Sequence, residues 1–436
     1  MRFDDCPAAD FFDESGVQGD ATEEVTTPTP IPEVVEVHDL DWEGIHAGLN
    51  PGGIRGRMQP ILAAMDALLA SDAWPSLLFD SFRSSRSDRA IKVGEIDDTD
   101  PLWFIGDLHG DLLALEAALA LIARDTPPDR PPPNIVFLGD LFDDYGFPVE
   151  VVLRVFELVT ANPARISVVT GNHDEALGHD GRKFVATVSP ADFSEALNAS
   201  PDDDGLQSCG MTAIRLFRDA PRALFFPDGL LVAHGGFPLV DLHPFLLETG
   251  EWNDERCLTD FVWTRAHPRA RRKIPNRVSR GCQFGHEDFA DFCAVSRRLD
   301  RPVTHMVRGH DHVEDRFEVY EAYAATPVLT TVALSRRLAR ESFGTYERVP
   351  TVARWIRGSL PQVYRLNIPA DIVREVYPDA VENPAAQPTA TGAETTTEVA
   401  SSAGVVSGTS DPPESAADSG LDANALAEAE PSASPQ

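Results

Sequence analysis

The feature that most constrains this chain is a series of five short apolar segments, each followed at once by a cluster of Asp, His or Asn. The segments are three or four residues long and rich in Val, Ile, Leu and Phe. Such a composition is typical of β-strands that are buried on both faces. The five segments are residues 102–105, 135–138, 166–169, 230–233 and 305–307.

Amphipathic stretches separate the first three segments. Residues 112–122 and 149–160 carry apolar side chains at helical spacing, and residues 58–69 do so further upstream. Alternation of strands and helices predicts an α/β fold. Two later apolar segments, 328–334 and 362–368, have no clear helix between them, which predicts that the sheet is mixed or doubled.

The polar clusters predict a binuclear metal site. In open α/β sheets, ligands bind at the carboxyl ends of the strands, where these clusters fall. A mixed set of carboxylate, imidazole and amide ligands suits two borderline divalent metals that share one carboxylate, and such a pair activates a bridging hydroxide and clamps phosphoryl oxygens. A single Gly-Asp after a strand is a common turn, but five such endings in order are hard to obtain from turn chemistry. The side chains concerned are Asp107, His109, Asp140, Asp143, Asn172, His173, His234, His310 and His312.

The same clusters resemble the motifs of the calcineurin-like metallophosphoesterase superfamily. The resemblance covers roughly residues 102–334 and implies a four-layer sandwich, an α/β (α+β) fold in which two mixed β-sheets are flanked by helices. The matching runs are Gly106-Asp-Leu-His109, Gly139-Asp-Leu-Phe-Asp143, Gly171-Asn-His-Asp174, His234-Gly-Gly and Gly309-His-Asp-His312.

The resemblance also implies a role for each residue. His173 would be the general acid, and Asp143 would orient its ring, because a carboxylate partner fixes the tautomer and raises the imidazole pKa. The cofactors would be two divalent ions, expected to be Mn²⁺, with Fe, Zn or Ni as alternatives. The implied metal ligands are Asp107, His109 and His312 for the first metal, Asp140 for both, and Asn172, His234 and His310 for the second.

Within the superfamily, the chain is most similar to the bacterial-type phosphoprotein phosphatase (Ser/Thr phosphatase) branch. The run 308–318 resembles one segment of that branch, and the run 279–285 resembles another, in which an arginine holds the phosphate. This assigns Arg280 as a phosphate clamp, since a guanidinium fork matches two phosphoryl oxygens. Asp144 stands where the branch has its second phosphate arginine and is expected to repel the substrate. Arg182 is a possible replacement.

The expected activity is hydrolysis of phosphate monoesters by direct attack of a metal-bridging hydroxide, as in a Ser/Thr protein phosphatase. The substrate would be a phosphorylated protein or a small phosphate ester. Asp144 and His312 favour an alternative, a small-molecule enzyme such as a dinucleoside polyphosphate hydrolase or a phosphodiesterase. A catalytically silent phosphate-site scaffold is a third hypothesis, disfavoured because no ligand of the pattern is lost.

Charge and composition predict the domain organisation. The chain has a net charge of −33, of which about −21 lies in its two ends. We expect an acidic disordered tail over 1–42, a helical lead-in over 43–100, the catalytic domain over 101–370 and a disordered Ala/Ser/Thr/Pro-rich tail over 379–436. The dense basic run 265–277 is either a solvated loop or a surface that recruits an acidic substrate.

Several classes of partner are disfavoured. The acidic charge argues against nucleic acid as an electrostatic partner. No apolar run approaches the length of a membrane span, and no signal-peptide pattern begins the chain. The five cysteines are scattered without the spacing of a disulfide framework or a zinc site. These observations predict a cytoplasmic protein without a membrane or nucleic-acid partner.

Overall fold

The computed structural model describes residues 32–71, 83, 85, 87–94, 100–276, 280–341 and 344–378. Both predicted disordered tails fall largely outside these residues. The strands are β1 (Val34–Val37), β2 (Ala90–Lys92), β3 (Leu102–Ile105), β4 (Asn134–Phe137), β5 (Ile166–Val168), β6 (Leu177–His179), β7 (Phe184–Ala186), β8 (Ala223–Phe225), β9 (Leu230–Ala233), β10 (Arg265–Ala266), β11 (Ile274–Pro275), β12 (Cys282–Phe284), β13 (His305–Arg308), β14 (Phe317–Val319), β15 (Val328–Thr331), β16 (Thr351–Trp355) and β17 (Gln362–Leu366).

Helices account for most of the remaining regular structure. Two short 3₁₀-helices, Val240–Leu242 and Glu321–Tyr323, complete the set in the described residues. The α-helices are α1 (Trp42–Gly48), α2 (Pro51–Gly56), α3 (Met58–Ala70), α4 (Leu112–Asp125), α5 (Pro148–Ala161), α6 (Asn172–Ala176), α7 (Asp192–Ala199), α8 (Asp204–Asp219), α9 (His243–Thr249), α10 (Glu255–Trp263), α11 (His286–Arg298) and α12 (Ala370–Val376).

Two six-stranded mixed sheets form the centre of the molecule. The first has the order β1-β17-β16-β3-β4-β5, in which β3, β4 and β5 run parallel and β16 pairs antiparallel with β3. The second has the order β14-β15-β13-β9-β8-β2, with β9, β13 and β15 parallel. The prediction of a mixed, doubled sheet is therefore confirmed.

The alternation of side chains along the strands explains the layering. On β9, Leu230 and Val232 belong to the core shared with the first sheet, whereas Leu231 and Ala233 belong to a second core. Successive residues of a strand point to opposite faces, so both faces of this sheet are covered. Phe261 of α10 and Phe289 of α11 contribute to the second core, so those helices cover the outer face. The arrangement is the predicted four-layer sandwich.

The two sheets place their parallel strands so that the carboxyl ends face one region. The helix α4 begins there, with Asp111 as its N-cap accepting a hydrogen bond from the backbone N–H of Ala114 at 2.9 Å. Such a cap satisfies one of the unpaired amides at the start of the helix.

In the described residues, no helix is both long and apolar enough to cross a bilayer.

The folded body extends further than the predicted boundaries of 101–370. Strand β1 lies inside the predicted N-terminal tail and pairs with β17, because Val37 buries its side chain in the main core. Strand β2 lies in the predicted helical lead-in and pairs parallel to β8. Beyond residue 370, Tyr377 is buried and its hydroxyl donates to Asp111 at 2.8 Å. These elements lie outside the range 101–370 that the sequence analysis assigned to the catalytic domain.

Candidate metal centre

The polar clusters that follow five strands converge on one site. Strands β3, β4 and β5 of the first sheet and β9 and β13 of the second sheet deliver them, because the carboxyl ends of parallel strands share an edge. All nine residues predicted from the clusters lie in this region, and all but one are buried. The exception is His312, whose side chain is 9% exposed.

A first group of possible metal ligands comprises Asp107, His109 and His312. The Nε2 atom of His312 lies 3.2 Å from Oδ2 of Asp107. The rings of His109 and His312 meet edge to face, with centroids 5.0 Å apart. These three residues are the ligand set that the sequence resemblance implies for the first metal.

A second group comprises Asp140, His234 and His310, and Asn172 lies next to it. Nε2 of His234 is 3.1 Å from Oδ1 of Asn172 and 3.1 Å from Nδ1 of His310. The same nitrogen is 3.4 Å from Oδ2 of Asp140. Four donor atoms of the kinds that bind divalent metals therefore face one another in a space from which bulk solvent is excluded.

Asp140 belongs to the second group and also lies beside His109 of the first group. Its Oδ2 atom is 3.5 Å from Nε2 of His109 and 3.4 Å from Nε2 of His234, which belong to different groups. Burial would raise the pKa of this carboxyl, but the charges of His234, His173 and His109 hold its pKa well below the usual range. The position suits a carboxylate that bridges two cations.

Hydrogen bonds fix the tautomers of two of the histidines. Nδ1 of His234 lies 2.8 Å from the carbonyl of Leu138, and Nδ1 of His109 lies 3.2 Å from the carbonyl of Phe142. A carbonyl only accepts, so each Nδ1 carries a proton and each Nε2 is the ring atom that faces the cluster. This is the arrangement that histidine ligands of metals adopt.

A buried oxygen without a partner supports the fit of a cation at the site. Oδ1 of Asp107 has no hydrogen-bond partner among the described residues, although it is shielded from water. A buried acceptor without a partner is costly, and a bound cation would satisfy this oxygen. Burial, together with the charge of Arg265, also lowers the pKa of His310, which favours the neutral imidazole that metal binding requires.

Backbone strain is concentrated at the same place. Six of the eight non-glycine residues with positive φ in the described part of the chain belong to the site loops. Residues in this left-handed region cost free energy and persist where the surrounding structure holds them, often at functional sites. The six are His109 (40°), Asp140 (52°), Asp143 (69°), Asp144 (62°), Tyr145 (67°) and His310 (69°).

Close packing explains two of the glycines beside the ligands. A Cβ atom on Gly309 would meet Oδ1 of Asp107 at 2.1 Å, and one on Gly171 would meet Oδ1 of Asp140 at 2.2 Å. Both glycines therefore allow the backbone of one loop to approach a ligand from another.

His173 and Asp143 form the pair that the sequence predicted. Nδ1 of His173 lies 2.7 Å from Oδ2 of Asp143, and the backbone N–H of Phe193 donates to the other oxygen of Asp143 at 3.0 Å. Burial would lower the pKa of His173, but the charge of Asp140 and the hydrogen bond with Asp143 raise it overall. A raised imidazole pKa favours proton donation near neutral pH.

The segment 335–341, here called the arginine loop, brings two further residues to the site that the sequence analysis missed. Nη1 of Arg340 is 3.1 Å from Nε2 of His173, and its Nη2 is 3.0 Å from Oδ2 of Asp144. Oε1 of Glu341 is 3.3 Å from Nδ1 of His312. Neither residue belongs to a motif of the five clusters, and no local pattern marks them.

The predicted arginines take different positions. Arg280 is exposed and lies over the ring of Trp263, with its guanidinium carbon 5.2 Å from the ring centroid. Arg182 lies on the exposed turn between β6 and β7. In the basic run 265–276, Lys273 pairs with Asp241 at 2.7 Å, and Arg265 pairs with Asp311 at 2.9 Å. Part of the positive charge of that run is thus neutralised by acidic neighbours.

Comparison with known families agrees with the geometry. Residues 101–314 match the family model described as calcineurin-like phosphoesterase, which spans all five strand-end clusters. The chain contains a calcineurin-like metallophosphoesterase domain, and Ser/Thr phosphatases are among its homologues. The domain is that of a phosphoesterase enzyme.

The curated relatives are distant and match in part. The chain is 24% identical over 200 residues to the serine/threonine-protein phosphatase 6 catalytic subunit of Drosophila melanogaster, covering 45% of this chain and 60% of the relative. It is 25% identical over 242 residues to human serine/threonine-protein phosphatase 5, covering 51% and 41% respectively. The chain thus matches less than two thirds of the length of either relative.

Among solved structures, the chain is similar to a protein serine/threonine phosphatase from Saccharomyces cerevisiae with similarity to human phosphatase PP5. The TM-score is 0.46 at 14% sequence identity, and the match covers 73% of this chain and 90% of the yeast chain.

Proposed function

We propose that this protein hydrolyses phosphate monoesters, as a Ser/Thr protein phosphatase-like enzyme, with two divalent metal ions. The observation that carries the proposal is the pair of adjacent ligand groups with Asp140 between them. Mn²⁺ is the proposed metal, because a mixed carboxylate and imidazole set suits a borderline cation. When bound, such a pair polarises phosphoryl oxygens and makes a water nucleophilic at neutral pH.

The proposed ligands follow the two groups. The first ion would be held by Asp107, His109 and His312, the second by Asn172, His234 and His310, and Asp140 would contact both. Their buried positions and fixed tautomers hold the ligands ready before the ions bind, which reduces the reorganisation that binding requires.

The chain's own residues supply the proton. His173 is proposed to donate a proton from its ring to the leaving oxygen, and Asp143 holds the ring in the orientation that donation requires. Arg280 is proposed as an outer contact for the phosphate. Water attacks phosphorus directly, so no covalent phosphoenzyme forms on the pathway.

A second candidate function is hydrolysis of a small phosphodiester or a dinucleoside polyphosphate. Two observations favour it: Asp144 is a buried acid at the position where Ser/Thr phosphatases have a phosphate arginine, and His312 lies in the first ligand group. The negative charge of Asp144 and the additional metal ligand His312 would both change the net charge of the site, and with it the phosphate esters that the site binds.

The experiment that tests the proposal compares four substrates on one preparation. Protein stripped of metal and reloaded with Mn²⁺ is assayed with a phosphopeptide, p-nitrophenyl phosphate, bis-p-nitrophenyl phosphate and a dinucleoside polyphosphate. We expect the two monoesters to be hydrolysed fastest. Preference for the diester or the polyphosphate would support the second candidate, and no turnover with Mn²⁺, Fe²⁺, Zn²⁺ or Ni²⁺ would reject both.

A further inference from the structure

Asp144 has an unexpected environment. Its side chain is 2% exposed, and its Oδ2 atom lies 3.2 Å from Nδ1 of His109 and 3.0 Å from Nη2 of Arg340. The sequence comparison suggested that an acid at this position repels a phosphate. In the structure the carboxylate instead faces two positively polarised groups, and one of them is a guanidinium.

The arginine loop is anchored so that this guanidinium is held at the site. Oδ2 of Asp111 accepts hydrogen bonds from the backbone N–H of Ser335 at 2.8 Å and from its hydroxyl at 2.7 Å. The buried Arg336 donates to the backbone carbonyls of His109 at 2.9 Å and Asp144 at 3.0 Å. These bonds tie the loop to the same two segments that carry the ligands.

A second anchor lies on the other side of Arg340. The carboxylate of Glu341 accepts two hydrogen bonds from the guanidinium of Arg316, at 2.6 and 2.9 Å, and this pair is buried. Bidentate pairs of this kind have a well-defined geometry. The backbone on both sides of Arg340 is therefore fixed, while its own side chain is 36% exposed.

This combination distinguishes Arg340 from the other arginines near the site. Arg308 is buried and bound to the Asp311 carboxylate and to backbone carbonyls. Arg336 is buried and bound to backbone carbonyls, and Arg265 bonds the His310 carbonyl and the Asp311 carboxylate. Arg340 instead reaches from the surface to the ring nitrogens of His173 and His109, at 3.1 and 3.3 Å. It thus lies between the solvent and these two site histidines.

The positive charge of the Arg340 guanidinium indicates which ligand it could bind. Nε2 of His109 cannot face both a metal ion and a guanidinium, so loading the site must move the Arg340 head group away from that nitrogen. The exposed side chain has room to move, and the contact with Asp144 keeps it beside His173. An arginine fork in that position matches two oxygens of a phosphoryl group.

We propose that Arg340 binds the phosphoryl group of the substrate and that Asp144 is the positioning residue that holds Arg340 there. The second phosphate arginine is thus supplied by the arginine loop, and the acid at position 144 serves as its anchor. This inference rests on the proposed phosphoesterase function, whose substrate-binding residue it names.

The test measures binding of inorganic phosphate to the Mn²⁺-loaded full-length protein by isothermal titration calorimetry. Replacement R340A should weaken phosphate binding about ten- to hundredfold, as expected for loss of a charge-assisted hydrogen-bonding fork. The KM for p-nitrophenyl phosphate should rise similarly while the metal content stays the same. The control R337A removes a neighbouring arginine of the loop that bonds the Gly344 carbonyl, and it should bind phosphate as the wild type does.

The outcomes separate the inference from the proposed function. If R340A binds phosphate as tightly as the wild type, or if the wild type binds none, the role of Arg340 is wrong. If the wild type binds phosphate through Arg340 but hydrolyses no ester, the binding role stands and the proposed function fails. Should R340A not fold, R340Q answers the same question, because it keeps the length of the side chain without its charge.

The positioning role of Asp144 is tested with D144N, which keeps the size of the side chain but removes its negative charge. D144N should weaken phosphate binding in the wild-type background and have no further effect when combined with R340A. An equal effect in both backgrounds would show that Asp144 does not act through Arg340.

Discussion

The strand-end clusters and the arginine loop meet in one site, yet they differ in how they are built. The clusters follow buried strands directly, so each ligand is fixed by the backbone of the sheet. The arginine loop contains no helix or strand and is held to the clusters by side-chain hydrogen bonds, such as those of Arg336. On the proposed function, the rigid part of the fold would hold the metal ions, and the attached loop would contact the substrate and support the ligand His312.

Because the two regions are built differently, substitutions in the strand-end clusters and in the arginine loop should have different effects. A change in a cluster should remove the metals and with them the reaction, whereas a change in the loop should alter substrate affinity or the strength of metal binding. The following predictions are ordered by the size of the effect.

The largest effect is expected for D140N. Removing the charge of the carboxylate that lies between the two groups should lower kcat/KM by about a thousandfold or more. Metal content, measured by inductively coupled plasma mass spectrometry, should fall from two equivalents per chain. The matched control is D180N on an exposed turn, which should leave both quantities unchanged. Wild-type turnover by D140N with an unchanged circular dichroism spectrum would contradict the ligand assignment.

A smaller loss is expected for H173N. Removing a general acid costs about a hundredfold in kcat. The loss should be greater for a phosphoserine peptide than for p-nitrophenyl phosphate, because a good leaving group needs no proton. Metal content should remain at two equivalents. Equal losses on both substrates would show that His173 does not act as an acid.

The next effect is expected for E341Q, which changes the second residue that the arginine loop brings to the site. Glu341 orients His312, so E341Q should weaken metal binding about tenfold, within the range known for residues behind a metal ligand. Competition with a chelator measures the change. Glu347, whose carboxylate pairs with Arg374, provides the matched control E347Q. If E347Q weakened metal binding as much as E341Q, the effect would reflect general destabilisation.

The smallest effect is expected for R280A. Because Arg280 is exposed and rests on Trp263, we expect the KM for p-nitrophenyl phosphate to rise by roughly threefold, with kcat unchanged. A rise larger than that of R340A would reverse the comparison and make Arg280 the main phosphate residue.

The same structural difference determines which site residues could be predicted from the sequence. Asp107 and His109, or Asn172 and His173, lie a few residues after an apolar strand, so strand and ligand are recognised together. Arg340 is 231 residues from His109 along the chain, and only the folded structure brings them together. A motif search has no signal for such a contact.

Strand β1 could not be predicted from the sequence for a related reason. Strand β1 is only four residues long and lies in an acidic, Pro-rich segment, so its composition resembles that of the tail. It becomes a strand because β17 offers a parallel edge and a core position for Val37. Tertiary pairing overrides local composition at such an edge.

The central claim, that the strand ends hold two metal ions, is tested most directly by anomalous X-ray diffraction from crystals of the Mn²⁺-loaded protein. We predict two anomalous peaks on opposite sides of the Asp140 carboxylate, one beside His109 and the other beside His234. A single peak, or peaks away from Asp140, would contradict the account.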